Sequence, residues 1–76
     1  MDGELQHVVG DNVRRIRVAR GLSQEELAEQ LGVHRTFMGA VERGERNLTL
    51  RSVERLAAGL GVDPSSLVAV PGRRHR

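Results

Sequence analysis

The 76-residue chain has no cysteine, no lysine, no tryptophan and no tyrosine, and Phe37 is its only aromatic residue. Without cysteine there is no disulfide framework and no thiolate metal site. No apolar run approaches the roughly 18 residues of a membrane span. The opening MDGELQHVV lacks the basic stretch and apolar run of a signal peptide, so a cytoplasmic protein without a membrane segment is expected. His7, His34 and His75 do not have metal-ligand spacing, and neither a Ser–His–Asp set nor a phosphate-cradling glycine loop is evident. An enzyme is not expected, nor a metal, cofactor or small-molecule ligand.

What is present is short, charged and helical in pattern. A chain of this length makes one domain that buries a modest share of its surface. With no covalent or metal staple it needs close helix packing or a partner subunit, so a homodimer is expected. All 12 basic residues are arginine, and the net charge is +2. Coding bias accounts for such a set, yet arginine is also the better residue for phosphate and guanine recognition, because its planar fork meets two acceptors at once. Arg14, Arg15, Arg17 and Arg20 form one cluster, and Arg73, Arg74 and Arg76 close the chain. Such clusters are either a basic binding surface or a solvated charged face.

Apolar residues recur at helical spacing throughout, and no alternating run suggests a sheet. Val9, Val13 and Ile16 share a face of a first helix that ends near Gly21. Ser23 stands three residues before Glu26, the capping-box spacing that opens a second helix. Leu27, Ala28 and Leu31 form its inner face and Gly32 stops it. His34 or Arg35 opens a third helix, with Met38 and Val41 inward and Gly44 ending it. Leu50, Val53, Leu56, Ala57 and Leu60 mark a fourth, closed by Gly61. Asp63-Pro64 pairs an N-cap with a proline at the first helical position and starts a short fifth helix through Leu67 and Val68.

Helices two and three are separated only by Gly32-Val33-His34, the length of a helix-turn-helix connection. Ala28 is small where two steeply crossed helices touch, and Gly32 supplies the positive φ of the turn. The expected fold is all-α: a compact five-helix domain over residues 1–70, with a central helix-turn-helix at about 24–43. Residues 71–76 form a loose basic tail.

The stretch GLSQEELAEQLGVHRTFMGAVERGERN, continuing through LTLRSVERLAAGLGVDPSSL, resembles the phage-repressor-type (Cro/repressor, XRE) helix-turn-helix regulators with a lambda-repressor-like fold. Within that family, HRTFMGAVERGERNLTL is most similar to restriction–modification controller proteins and related minimal repressors. Leu48 stands where many members carry proline, a departure that controller-like sequences share. The resemblance implies a sequence-specific transcriptional regulator that binds double-stranded DNA as a homodimer on a pseudo-palindrome. A helix-turn-helix module that serves as an antitoxin or adaptor, with a protein as its main partner, is the alternative.

On a helical wheel of residues 35–43, Met38, Val41 and part of Glu42 define the buried side. Thr36, Gly39, Ala40 and Arg43 face away, with Arg35 and Phe37 on the flanks. Gly39 and Ala40 are then expected to keep the outer face low enough to enter a major groove. Arg35 has the fork to take guanine O6 and N7, and Thr36 suits a thymine methyl. His34 is an N-terminal cap or a phosphate neighbour. Phe37, by its boundary position, is either partial core or groove wall.

The remaining roles are implied by the resemblance. Gln24 grips a phosphate and braces Arg35, while Arg43, Arg46 and Asn47 follow the DNA backbone. Arg17 and Glu42 make a structural ion pair that fixes the recognition helix. Leu60, Val62, Leu67 and Val68 lie in the dimer interface.

Overall fold

A computed structural model describes residues 4–70. The expected tail over 71–76, with Arg73, Arg74, His75 and Arg76, lies outside the described residues. The chain forms five helices, α1 (Glu4–Ala19), α2 (Gln24–Leu31), α3 (Arg35–Glu42), α4 (Leu50–Leu60) and α5 (Pro64–Val68). There is no strand among the described residues.

Local chemistry sets the helix ends. Ser23 Oγ accepts from Glu26 N at 3.0 Å while Glu26 Oε1 accepts from Ser23 N at 2.7 Å, so the capping box of α2 is complete. His34 caps α3 through Nδ1, which accepts from Thr36 N at 3.2 Å. Thr49 and Asp63 cap α4 and α5 in the same way. Gly32 closes α2 at φ 71°, a left-handed conformation that a side chain disfavours. This turn swings the chain directly into α3. Arg43 is the C-cap of α3, one residue beyond its last helical position.

The core joins all five helices. Val9 and Val13 of α1, Leu27 of α2, Met38 and Val41 of α3, Leu56 and Leu60 of α4 and Leu67 of α5 are all buried. Each such side chain contributes about 1.5–3 kcal/mol by leaving water. α1 packs on α3 and α5, α2 on α3 and α4, and α4 on α5. α1 is thus in contact with both the second half of the helix-turn-helix and the C-terminal helix.

Three expectations are corrected here. Leu50 is in phase with the α4 stripe but is 74% exposed, because the first turn of α4 overhangs the core. Its place is taken by Leu48, which packs against the core together with Val53. Those two residues occupy the positions of a hydrophobic staple, before the cap and one turn after it. Leu60 and Leu67, expected at a dimer interface, are 2% and 0% exposed within the single chain. A five-residue α5 needs Leu67 as its anchor, so neither leucine is free to meet a partner. Val62 is half-buried against the core, whereas Val68 and Val70 are exposed.

A buried polar residue that the sequence pattern did not single out completes the assembly. Asn12 of α1 is 1% exposed, and its Nδ2 donates to Leu67 O at 2.7 Å and Ala69 O at 2.9 Å. Its Oδ1 accepts from Arg15. Asn12 therefore satisfies carbonyls at the end of α5 and fastens that helix to α1.

Candidate nucleic-acid interface

The outer surface of the helix-turn-helix is built on an ion pair. Arg17 Nε donates to Glu42 Oε2 at 2.6 Å and Arg17 Nη2 to Glu42 Oε1 at 3.1 Å, a bidentate contact. Nη1 donates to Leu22 O at 2.8 Å. The two side chains are only 14% and 3% exposed. The hydrogen bond to Glu42 holds the Arg17 guanidinium above its ordinary pKa, against the opposing effect of burial, so it stays charged wherever the fold survives. Removing either partner from a pair so enclosed strands a charge at a cost of about 3–5 kcal/mol. The pair fixes the last turn of α3 to α1.

Gln24, the first residue of α2, joins the same carboxylate. Its Nε2 donates to Glu42 Oε1 at 3.0 Å. A carboxylate only accepts, so the nitrogen of the Gln24 amide faces inward and the oxygen faces out. Gln24 thus braces Glu42 rather than Arg35, which differs from the expectation. The reason is chemical: the Glu42 carboxylate accepts from the Gln24 N–H, although Gln24 and Arg35 line the same concavity.

Arg35 and Thr36 are exposed at the start of α3. Together with Gln24, Gly39 and Arg43 they line one open concavity. Gly39 faces outward as expected, but it is buried because the side chains of Arg43 and Gln24 lie over it. A Cβ there would lie 3.1 Å from Arg43 Nη1 and 3.5 Å from Gln24 Oε1. The glycine still keeps the helix low, but as the floor under two polar side chains. Ala40 is half-buried beside it.

Arg43 pairs with Glu45 at 3.0 Å, both more than half exposed, a contact worth little in water. Arg43 is therefore easily recruited to another anion. Phe37 is half-buried against the core, and the Arg46 Cζ stands 5.0 Å from its ring centroid. The aromatic ring is thus partial core on one side and a platform for a cation on the other. His34 is exposed, with its Nδ1 engaged in capping. Asn47 is exposed in the loop between α3 and α4.

Gly10 and Gln6 were missed by sequence reasoning. A Cβ on Gly10 would overlap Val41 O and approach Glu42 O to 2.9 Å, so this glycine lets α1 rest on the end of α3. A glycine inside a helix, which costs about 1 kcal/mol relative to alanine, was the available signal. Gln6 binds the loop after α3, and no sequence signal marks it. Among the described residues no His or carboxylate cluster suited to a metal is present, and no helix is long and apolar enough to cross a membrane.

Residues 13–67 match the model of the family described as Helix-turn-helix. The chain is 44% identical to a solved structure, the hypothetical transcription factor NHTF from Neisseria, with a TM-score of 0.82, covering 93% of this chain and 83% of that one. It is 40% identical over 72 residues to control protein C.SmaI of Serratia marcescens, covering 95% of this chain and 86% of the relative. It is 34% identical, with a TM-score of 0.74 and 84% of each chain covered, to the restriction–modification controller protein C.Esp1396I, solved as a tetramer in complex with its natural 35-base-pair operator.

Proposed function

Because this chain belongs to the helix-turn-helix family, whose relatives include restriction–modification controllers and phage repressors, we propose that it regulates transcription by reading a DNA operator. It binds double-stranded DNA as a homodimer, with α3 in the major groove and no catalytic step. Its place of action is the cytoplasm. The observation that carries this reading is the concavity shared by Gln24, Arg35, Thr36, Gly39 and Arg43. It sets a bidentate donor and a small hydroxyl at the exposed N-terminal end of α3, the part of a recognition helix that meets base edges.

In this reading Arg35 and Thr36 read bases, and Ala40 lies close to the groove floor. His34, Arg43, Arg46 and Asn47 serve the phosphates, Gln24 offers one its backbone N–H at the N-terminus of α2, and Phe37 supports Arg46 from beneath. Such backbone contacts supply affinity and a steep salt dependence but not sequence preference. Arg17 and Glu42 hold α3 and do not touch DNA. We place the dimer surface on the exposed apolar residues at and just beyond the end of α5, Val68 and Val70, with the edge of Val62. Two-fold pairing there sets two recognition helices about 34 Å apart, one turn of DNA.

The test is selection of binding sites from a random duplex library at near-physiological salt. The expected result is an enriched inverted repeat with half-sites one turn apart. Weak, salt-sensitive and sequence-blind binding would overturn the reading and direct the search to a protein partner of the antitoxin or adaptor kind.

A further inference from the structure

The loop that follows α3 is held from below by the first turns of α1. Gln6 Nε2 donates to Arg46 O at 2.5 Å and to Asn47 Oδ1 at 3.2 Å. His7 packs its ring on Gly44, which has φ 73° and where any Cβ would overlap the imidazole. Phe37 lies beneath the Arg46 guanidinium. The segment from Gly44 to Asn47, exposed from Glu45 on, is thus fixed at its start, through a side-chain platform and at its end.

From this arrangement we infer that Gln6 is a positioning residue that presents Asn47 to a DNA phosphate as a hydrogen-bond donor. Atom types decide the orientation of both amides. The carbonyl of Arg46 can only accept, so the Gln6 atom that meets it is nitrogen. That nitrogen donates, so the Asn47 atom facing it is oxygen. The Asn47 Nδ2 is consequently turned away from Gln6, toward the exposed side of the loop, with its N–H groups available. A phosphate oxygen accepts from N–H and repels a carbonyl oxygen. Gln6 thus selects, before any DNA arrives, the amide face that a phosphate needs. An asparagine free to turn would present the wrong face part of the time and lose rotamer freedom on binding.

The inference rests on the DNA-binding reading, and its consequences are specific. Gln6 acts on affinity and leaves base preference alone, because phosphate contacts carry no sequence information directly. Its effect passes through Asn47, so the two positions are coupled. A merely structural role for Gln6 would show in the melting temperature and would be independent of Asn47.

The experiment is a double-mutant cycle with full-length protein and the duplex enriched by site selection. Gln6→Met removes the donor while keeping length, Asn47→Ala removes the recipient, and the double variant closes the cycle. Duplex affinity, an unrelated duplex of equal length and thermal melting are measured for all forms. Gln6→Met is expected to bind both duplexes about three- to tenfold more weakly, the worth of one oriented hydrogen bond, with its melting temperature nearly unchanged. In the Asn47→Ala background the same substitution is expected to cost less than half as much on a logarithmic scale. Equal binding by Gln6→Met and the parent overturns the inference, as does an undiminished loss in the Asn47→Ala background. A parent chain that binds no duplex overturns the DNA-binding reading itself, and this inference with it, which separates the two failures.

Discussion

Gly10 of α1 and Glu42 of α3 meet backbone to backbone, with the place of a Gly10 Cβ only 2.9 Å from the Glu42 carbonyl oxygen and overlapping that of Val41. The contact sets how closely the first helix can lie on the end of the recognition helix. Backbone cannot yield as a side-chain tip can, so a single methyl must move one helix. Gly10→Ala is expected to destabilise by about 1–3 kcal/mol, the usual cost of overpacking, despite alanine's better helix propensity. Thermal unfolding followed by circular dichroism checks this, and an unchanged or raised melting temperature would refute the close contact.

Glu42→Ala leaves the Arg17 guanidinium enclosed and without its carboxylate. The expected cost is about 3–5 kcal/mol. At roughly 4–8 °C per kcal/mol, that is a large drop in melting temperature for so small a domain. The informative variant is the double replacement Arg17→Met with Glu42→Leu, which removes both charges. It is expected to be clearly more stable than either single variant, since no charge is stranded. Recovery of DNA binding along with the fold would show that Glu42 acts only by holding α3. The arginine end of the pair contributes at every pH the fold tolerates, because Glu42 raises its pKa and its proton leaves only in strong alkali.

Gly39→Ala is expected to separate stability from binding. The nearest atom to the new Cβ is the tip of the Arg43 side chain at 3.1 Å, and Arg43 is more than half exposed and free to move. Helix propensity then favours alanine by up to about 1 kcal/mol, so melting temperature is unchanged or rises. The methyl pushes the Arg43 tip aside and raises the floor of the concavity beside Gln24 Oε1, which stays in ordinary contact at 3.5 Å, and operator affinity is expected to fall about tenfold, or ~1.4 kcal/mol. A parallel melt and binding titration test this, and a variant that binds as well as the parent would show that Gly39 does not shape the interface.

Arg35 and Arg46 are expected to fail in different ways. Arg35→Ala costs about 1–3 kcal/mol on the preferred operator and relaxes the base preference at one position of each half-site. Arg46→Ala weakens all duplexes alike and lowers the slope of log affinity against log salt by about 0.9 for each phosphate no longer neutralised. Binding to the enriched site and to single-base variants, each at several salt concentrations, distinguishes the two. A uniform loss for Arg35→Ala would reassign it to the backbone.

The helices were legible because their ends are written in local chemistry. Ser23 with Glu26, Gly32, His34 and Asp63-Pro64 act on neighbours a few residues away, and the structure places helix ends where they indicate. The Arg17–Glu42 geometry agrees with the pairing that the family resemblance implied. Periodicity misled where an element outruns its neighbours, as at Leu50, and the interface role that the resemblance implied for Leu67 gave way to a very short helix's need for its one buried anchor. A wheel of α3 alone set Gly39 on the outer face, where it lies, but held nothing about Arg43 and Gln24 folding over the glycine. Gln6, Gly10 and Asn12 each act on residues far along the chain, in the loop after α3, at the end of α3 and at the end of α5, and such contacts have no local signature.

The tie from Asn12 to Leu67 and Ala69 gives α1 a task beyond packing. The same helix sets the tilt of α3 through Gly10 and Arg17 and grips the helix beside the exposed valines through Asn12. In a dimer joined at those valines, α1 is the ruler between the two reading heads. Operator spacing is then encoded in side chains that touch neither DNA nor the partner. A regulator built this way can drift to a new half-site separation through α1 while keeping both its base readers and its dimer contacts.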